Sequence, residues 1–173
     1  MTSTTWRNKA LVASAGVLCA LVATGGAADA AVARARGAGP LQDLQLSTVQ
    51  PTDGATAQVV ARESGGSTTV TLKVQALDHA AAGKTLGAHV HVGPCVAGNG
   101  AIAGPHYNAG GGPSPTTEVW LDFTIDENGT AHAEATVPFT IAAGAAASVV
   151  IHASPTSTTG AAGPRLACLP VQF

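Results

Sequence analysis

Aromatic and charged side chains are scarce in this sequence. Phe, Trp and Tyr account for 3% of the 173 residues, and Asp, Glu, Lys and Arg for 10%, with a formal net charge of −2 at pH 7. Because the chain has neither a basic run nor a cluster of aromatic residues, we do not expect it to bind nucleic acid. Its length suits a single domain, whose core must be filled mainly by Val, Leu, Ile and Ala.

Long apolar runs are absent apart from one near the N-terminus. Residues 10–24 are uncharged and largely apolar, follow Arg7 and Lys9, and precede the small-residue site Ala28-Asp29-Ala30. This order is typical of a secretory signal peptide. The run is shorter than the roughly 20 apolar residues that cross a bilayer, although an uncleaved membrane anchor is the alternative.

The sequence therefore predicts a secreted, extracytoplasmic protein whose mature form has no membrane span. We expect a signal peptide over residues 1–30, a flexible linker over residues 31–40, and one domain over residues 41–173. Only three cysteines are present, and Cys19 falls in the signal peptide. The remaining pair, Cys95 and Cys168, is typical of one disulfide in an exported protein, with two free thiols as the alternative.

The apolar pattern of the domain has a period of two and predicts short strands rather than helices. Gly65-Gly66 and residues 126–129 are turn signals between neighbouring strands. Two long connections, residues 93–117 and 153–164, interrupt the series and are where a site is expected. Many short strands indicate an all-β sandwich or barrel. The eight predicted strands are residues 41–49, 56–62, 68–77, 86–92, 118–125, 130–137, 148–152 and 166–171.

Four histidines are candidate metal ligands. His89 and His91 are two apart in a predicted strand, so both side chains point to one face of the sheet. His106 lies in the first long connection, and His152 ends a hydrophobic strand. Neutral imidazoles suit copper or zinc better than harder metals.

Two other histidines and one arginine could take part in chemistry, but each can also be explained as an ordinary surface residue. His79 falls in a predicted turn and His132 on the polar face of a strand, so we expect neither to bind metal. Arg165 lies three residues before Cys168. If the disulfide holds that segment near His106, its guanidinium would attract a small anion beside the metal; the alternative is a surface arginine.

Four segments of the sequence, taken in order, resemble the successive motifs of the copper/zinc superoxide dismutase family. The resemblance extends over about residues 55–173 and implies that family's fold, an eight-stranded Greek-key β-barrel or immunoglobulin-like sandwich. The reaction it implies is disproportionation of superoxide to oxygen and hydrogen peroxide. The four segments are Gly87-Ala88-His89-Val90-His91, Ala103-Gly104-Pro105-His106-Tyr107-Asn108, Val150-Ile151-His152 and Pro164-Arg165-Leu166-Ala167-Cys168.

The same resemblance implies a role for each residue that matches a motif. His89, His91 and His152 would be copper ligands, and His106 the histidine that bridges copper and zinc. Arg165 would guide superoxide to the copper, which makes Arg165 and His106 the implied catalytic residues. The implied disulfide joins Cys95 and Cys168.

The sequence departs from the family in its zinc loop and in its second long connection. Residues 107–117 contain no histidine, and the nearest carboxylates are Glu118 and Asp122. One imidazole and two carboxylates make a poor tetrahedral zinc site, so we expect copper and do not expect zinc. Residues 153–164 are short for the family. A non-catalytic copper-binding module and a metal-free structural β-domain are therefore the alternatives, and the oligomeric state is left open.

Overall fold

The structure, a computed structural model, describes residues 1–3 and 32–173. The predicted signal peptide lies outside the described residues except for its first three. None of the helices in the described part is long and apolar enough to cross a membrane. Two short 3-10 helices, His79–Ala81 and Gly100–Ala103, accompany ten strands. The strands are β1 (Val32–Pro40), β2 (Gln42–Asp43), β3 (Thr56–Ser64), β4 (Ser67–Gln75), β5 (Thr85–Leu86), β6 (Ala88–His91), β7 (Phe123–Thr124), β8 (Ala131–Val137), β9 (Ser148–His152) and β10 (Arg165–Pro170).

The strands form two four-stranded antiparallel sheets and one small two-stranded sheet. The order is β1-β3-β4-β8 in the first sheet, β2-β10-β9-β6 in the second, and β5-β7 in the third. Alternating Val, Leu and Ala side chains of β3 and β4 pack with those of β6, β9 and β10 in one apolar core. The all-β sandwich predicted from the sequence is confirmed, and most predicted strands reappear within a few residues of their expected bounds.

The predicted flexible linker over residues 31–40 is wrong where the structure describes it. Residues 32–40 form β1, which pairs with β3 along its whole length. The inward positions of β1 are small: Ala35 is buried, and a Cβ atom on Gly37 would lie 2.8 Å from Cγ2 of Val171. Because the buried face consists of Ala and Gly, the segment lacks the hydrophobic alternation that marks a strand. Arg34 on the outer side pairs with Glu63 at 3.2 Å.

Two other predicted strands are much shorter than expected. Of residues 41–49 only β2 remains, because the Asp43 carboxylate accepts the backbone N–H of Gln45 at 2.7 Å and turns the chain. Of residues 118–125 only β7 is a strand, and the earlier part makes single bridges instead. Strand β1, which was not predicted, and the separate strand β5 bring the total to ten in place of the eight predicted.

Both faces of strand β6 are buried, and the second of these faces carries the candidate site. Ala88 and Val90 point into the sandwich core, whereas His89 and His91 point to the opposite side and are still buried. The two long connections cover that opposite side. The first is linked to β10 by the Cys95–Cys168 disulfide, which confirms the predicted pairing and closes a sequence separation of 73 residues. The disulfide contacts a second, smaller apolar cluster of Leu44, Ala103 and Val150.

Candidate metal centre

Four histidines meet on the outer side of the second sheet. One potential ligand nitrogen from each of His89, His91, His106 and His152 lies within 4.8 Å of the others, and no other such group occurs in residues 1–3 and 32–173. The solvent-exposed fraction is 0% for His89 and His91 and 4% for His152. The side chain of His106 is 18% exposed, so the group meets solvent on its side.

Backbone pairing brings these histidines together from distant parts of the chain. His89 and His91 lie in β6, and His152 is the last residue of β9. Strands β6 and β9 pair with each other, and this pairing sets the distances between the three histidines. His106 arrives on a loop that adds to the free edge of β6. Tyr107 N–H donates to Val90 O at 2.8 Å, and this pairing places His106 opposite His91 in an isolated bridge.

Backbone carbonyls fix two of the four rings. The Nδ1–H of His91 donates to Gly104 O at 3.0 Å, and that of His152 donates to Gly163 O at 3.1 Å. A carbonyl oxygen only accepts, so both neutral rings carry their proton on Nδ1. Their Nε2 atoms then face each other at 3.3 Å with two lone pairs and no proton between them. A bound cation would remove that repulsion.

A carboxylate fixes the third ring. His106 Nδ1 lies 2.9 Å from Oε2 of Glu118, which is buried and also accepts Trp120 Nε1–H at 2.8 Å and Asn108 Nδ2–H at 3.1 Å. Burial acts to raise the pKa of Glu118, but the hydrogen bonds from Trp120, His106 and Asn108 outweigh it and the pKa is lowered. Glu118 is therefore an ionised acceptor that leaves Nε2 of His106 for the centre.

The fourth ring, His89, presents the opposite nitrogen. Its Nε2 lies 2.7 Å from Oγ1 of Thr156, in the second long connection. Its Nδ1 is buried and has no hydrogen-bond partner among residues 1–3 and 32–173. A buried imidazole nitrogen without a hydrogen-bond partner, set among three other imidazoles, is typical of a metal ligand. The donor set therefore fits a copper ion.

Burial keeps these imidazoles neutral. It is the largest cause of the lowered pKa of His89 (about 2), His91 (about 3) and His152 (about 4), and the proximity of the other imidazoles lowers each pKa further. A histidine must be neutral to ligate a metal. These three imidazoles can therefore bind a cation at neutral pH without first losing a proton.

Arg165 lies beside the centre, which is one of the two placements that the sequence left open. Its guanidinium donates to Gly100 O at 2.5 Å and to Gly104 O at 2.7 Å. It lines an open cavity of about 450 Å³ together with Gln45, Gly100, Ala101 and Gly104. Burial lowers the pKa of Arg165, but an arginine stays charged at neutral pH.

Comparison with known proteins agrees with this geometry. The family model for copper/zinc superoxide dismutase (SODC) matches residues 54–169. The chain belongs to the copper/zinc superoxide dismutase family. A crystal structure of a double mutant of a SOD-like protein from Bacillus subtilis has the same fold, with a TM-score of 0.57 and 16% identity over 79% of this chain and 95% of that one. Among curated protein sequences, none matches this chain.

Residues next to His106 do not fit the zinc site of a copper/zinc superoxide dismutase. Nδ1 of His106 is hydrogen-bonded to Glu118, and Glu118 also accepts hydrogen bonds from Trp120 and Asn108. The second nearby carboxylate, Asp122, faces the other connection and bonds to Thr156. One imidazole and one shared carboxylate do not make a tetrahedral nitrogen and sulfur site.

The remaining histidines lie away from the centre. His79 is exposed in a 3-10 helix, and His132 is exposed on the outer face of β8. Sequence reasoning missed Thr156, Asn108 and Trp120, and it considered Glu118 and Asp122 only as zinc ligands. No spacing rule marks these residues, because loops of irregular path carry most of them to the site.

Proposed function

We propose that this protein is a superoxide dismutase-like copper protein whose ion is held by His89, His91, His106 and His152. The observation that supports this most directly is that Nδ1 of buried His89 has no hydrogen-bond partner among the described residues. The other three rings each use Nδ1 for a hydrogen bond and leave Nε2 for the ion. Four imidazoles favour copper over hard cations. Because the residues beside His106 do not fit zinc, the proposed cofactor is copper alone.

When bound there, copper supplies one-electron redox chemistry, by which two superoxide anions and two protons become one dioxygen and one hydrogen peroxide. The protein's own residues attract the superoxide anion and hold the copper ligands in position. Arg165 gives a fixed positive charge in an open cavity, and the protein's formal net charge is −2. A local cation in such a cleft concentrates a small anion where it is needed. Of the four rings, that of His106 is the most exposed to solvent.

We place the protein outside the cytoplasm. The Cys95–Cys168 disulfide supports this, because structural disulfides form and persist in oxidising compartments. The sequence signals of residues 1–30 point to the same location. The proposed domain boundary moves from residue 41 to residue 32, since β1 is part of the first sheet.

Superoxide removal by the copper-loaded protein tests the enzymatic part of this proposal. The rate should fall to background in the double variant His89→Ala, His91→Ala, which deletes the two β6 ligands. The matched control is His79→Ala, His132→Ala, which removes two exposed histidines and should retain the full rate. A wild-type rate equal to that of the ligand variant would reject a dismutase.

The non-catalytic copper-binding module is the second candidate, favoured by the complete burial of His89 and His91. It predicts tight copper binding together with no superoxide activity. Copper binding is read from the rise in unfolding temperature with added metal, independently of any activity. A copper-dependent rise without superoxide removal would support the module, and no rise would reject both candidates.

A further inference from the structure

One side chain, Thr156, connects the half-buried carboxylate of Asp122 to a histidine of the metal centre. Its backbone N–H donates to Oδ2 of Asp122 at 2.6 Å, and its hydroxyl donates to Oδ1 of the same carboxylate at 2.5 Å. The same hydroxyl oxygen lies 2.7 Å from Nε2 of His89. Asp122 and His89 are thus joined through one hydroxyl group.

The direction of these hydrogen bonds follows from what each group can donate. An ionised carboxylate only accepts, so the single hydrogen of the Thr156 hydroxyl is committed to Asp122. The hydroxyl oxygen can then only accept a hydrogen bond from His89. Nε2 of His89 must carry the proton, and its buried Nδ1 keeps a free lone pair.

We propose that Thr156 is a positioning residue that, held by Asp122, fixes His89 in the tautomer whose Nδ1 is free for the metal. This inference rests on the proposed copper site and extends it to the second long connection. Of the four rings, His89 depends most on a neighbouring side chain to fix its tautomer. Its neighbours rely on backbone carbonyls or directly on Glu118, whereas His89 ligates through the opposite nitrogen and has no carbonyl acceptor.

The local backbone is built to allow this contact. Gly87 precedes β6, and a Cβ atom there would lie 2.8 Å from Ala162 Cβ and from Ser154 O, and 3.1 Å from Thr156 Oγ1. Two hydrogen bonds fasten the connection at this point, from Gly87 N–H to Ser154 O at 2.9 Å and from His152 N–H to Gly87 O at 2.7 Å. The connection therefore lies directly on β6, which brings the hydroxyl within reach of His89.

The test compares Thr156→Val, which keeps the shape and removes the hydroxyl, with Thr156→Ser, which keeps the hydroxyl. The first readout is the tautomer of His89 in the metal-free protein, measured by nitrogen-15 NMR of labelled histidine. Wild type and Thr156→Ser should carry the proton on Nε2, and Thr156→Val should lose that preference. Thr156→Ala gives the same readout if valine is not accommodated. His89 protonated on Nε2 in all variants, or on Nδ1 in the wild type, would overturn the proposal.

The second readout is copper affinity, measured by competition with a chelator of known strength. Loss of an outer-shell partner of a metal-bound histidine typically costs 10- to 100-fold in affinity. We expect about a tenfold loss in Thr156→Val and wild-type affinity in Thr156→Ser. Thr159→Val, in the same connection, is the control, because that hydroxyl is exposed and hydrogen-bonds with Ser157 rather than with a histidine, so its loss should not alter affinity.

The two readouts separate this inference from the function on which it rests. If the wild type binds no copper, the proposed function fails, and the metal-free NMR measurement still decides whether Thr156 sets the tautomer. If the wild type binds copper and Thr156→Val binds it equally well with an unchanged Cu(II) electron paramagnetic resonance spectrum, the positioning role is contradicted.

Discussion

Arg165 and His91 share one hydrogen-bond acceptor, the carbonyl oxygen of Gly104. The guanidinium donates to it at 2.7 Å and the imidazole at 3.0 Å. Gly104 has a φ of 67°, and a Cβ atom there would lie 2.8 Å from Val92 Cγ2, so the position requires glycine. One backbone carbonyl thus orients both the proposed anion guide and a proposed copper ligand.

Replacement of Arg165 should separate catalysis from copper binding. Arg165→Ala removes the fixed charge, and we expect the superoxide rate to fall by about tenfold or more, since such steering is worth roughly 10 to 10³ in rate. Copper affinity should stay within about threefold, because the imidazoles keep their acceptors. The rate is measured by stopped-flow at several ionic strengths. Lys84→Ala, a cation outside the centre, is the control, and equal rates for both variants would contradict the guiding role.

The disulfide should stabilise the fold and hold the Arg165 segment in place. In the chain-entropy model a loop of this length is worth about 4 kcal/mol, and loss of a native disulfide typically costs 2–5 kcal/mol. Cys95→Ser, Cys168→Ser should therefore lower the free energy of unfolding by about that amount in urea titrations. Reduction of the wild type should give a similar loss. An unchanged unfolding midpoint in both experiments would show that the disulfide does not contribute to the free energy of unfolding.

Stability of the metal-free protein should fall as the pH drops below neutral. The folded-state pKa values of His89, His91 and His152, about 2, 3 and 4, lie below the unfolded value of 6.5. Below pH 6.5 the unfolded chain takes up protons that the folded chain does not, which favours unfolding. At most about 4 kcal/mol per pH unit is lost if all three contribute, since each contributes about 1.4.

We expect a loss of about 2–4 kcal/mol in unfolding free energy between pH 7 and pH 5.5, measured by urea unfolding after metal removal. The window lies above the range in which carboxylates titrate, so it reports on histidine. His79→Gln, His132→Gln, which removes the exposed histidines, should show the same slope. A flat profile across this window in the wild type would mean that the buried rings are not held neutral.

Glu118 should support His106 without creating a second metal site. Glu118→Ala leaves the ring nitrogen of His106 and the donors of Trp120 and Asn108, all three half-buried, without their acceptor, and each such donor costs about 1 kcal/mol, the lower end of the range for buried groups. We expect a loss of about 3 kcal/mol in urea unfolding. Zinc added to the copper-loaded wild type should not raise the unfolding temperature further. A second stabilising equivalent of zinc would contradict this assignment.

The sequence predicts the metal-binding histidines better than the groups that orient them. His89 and His91 obey the two-residue period of a strand, and His152 ends a clear hydrophobic strand, so strand geometry alone points them outward. Thr156 and Trp120 follow no such period, and their positions depend on how two irregular connections fold over β6. Strand β1 was missed for a different reason: its buried face is made of Ala35 and Gly37, which give almost no hydrophobic signal.

Anomalous X-ray diffraction at the copper edge, from crystals of the copper-loaded protein, tests the central claim most directly. The account predicts one copper peak per chain at about 2 Å from a ring nitrogen of each of His89, His91, His106 and His152. For His89 the bonded atom should be Nδ1, and for the other three Nε2. A peak at the exposed His79 or His132, a peak that excludes His106 or His152, or no peak after loading would contradict it.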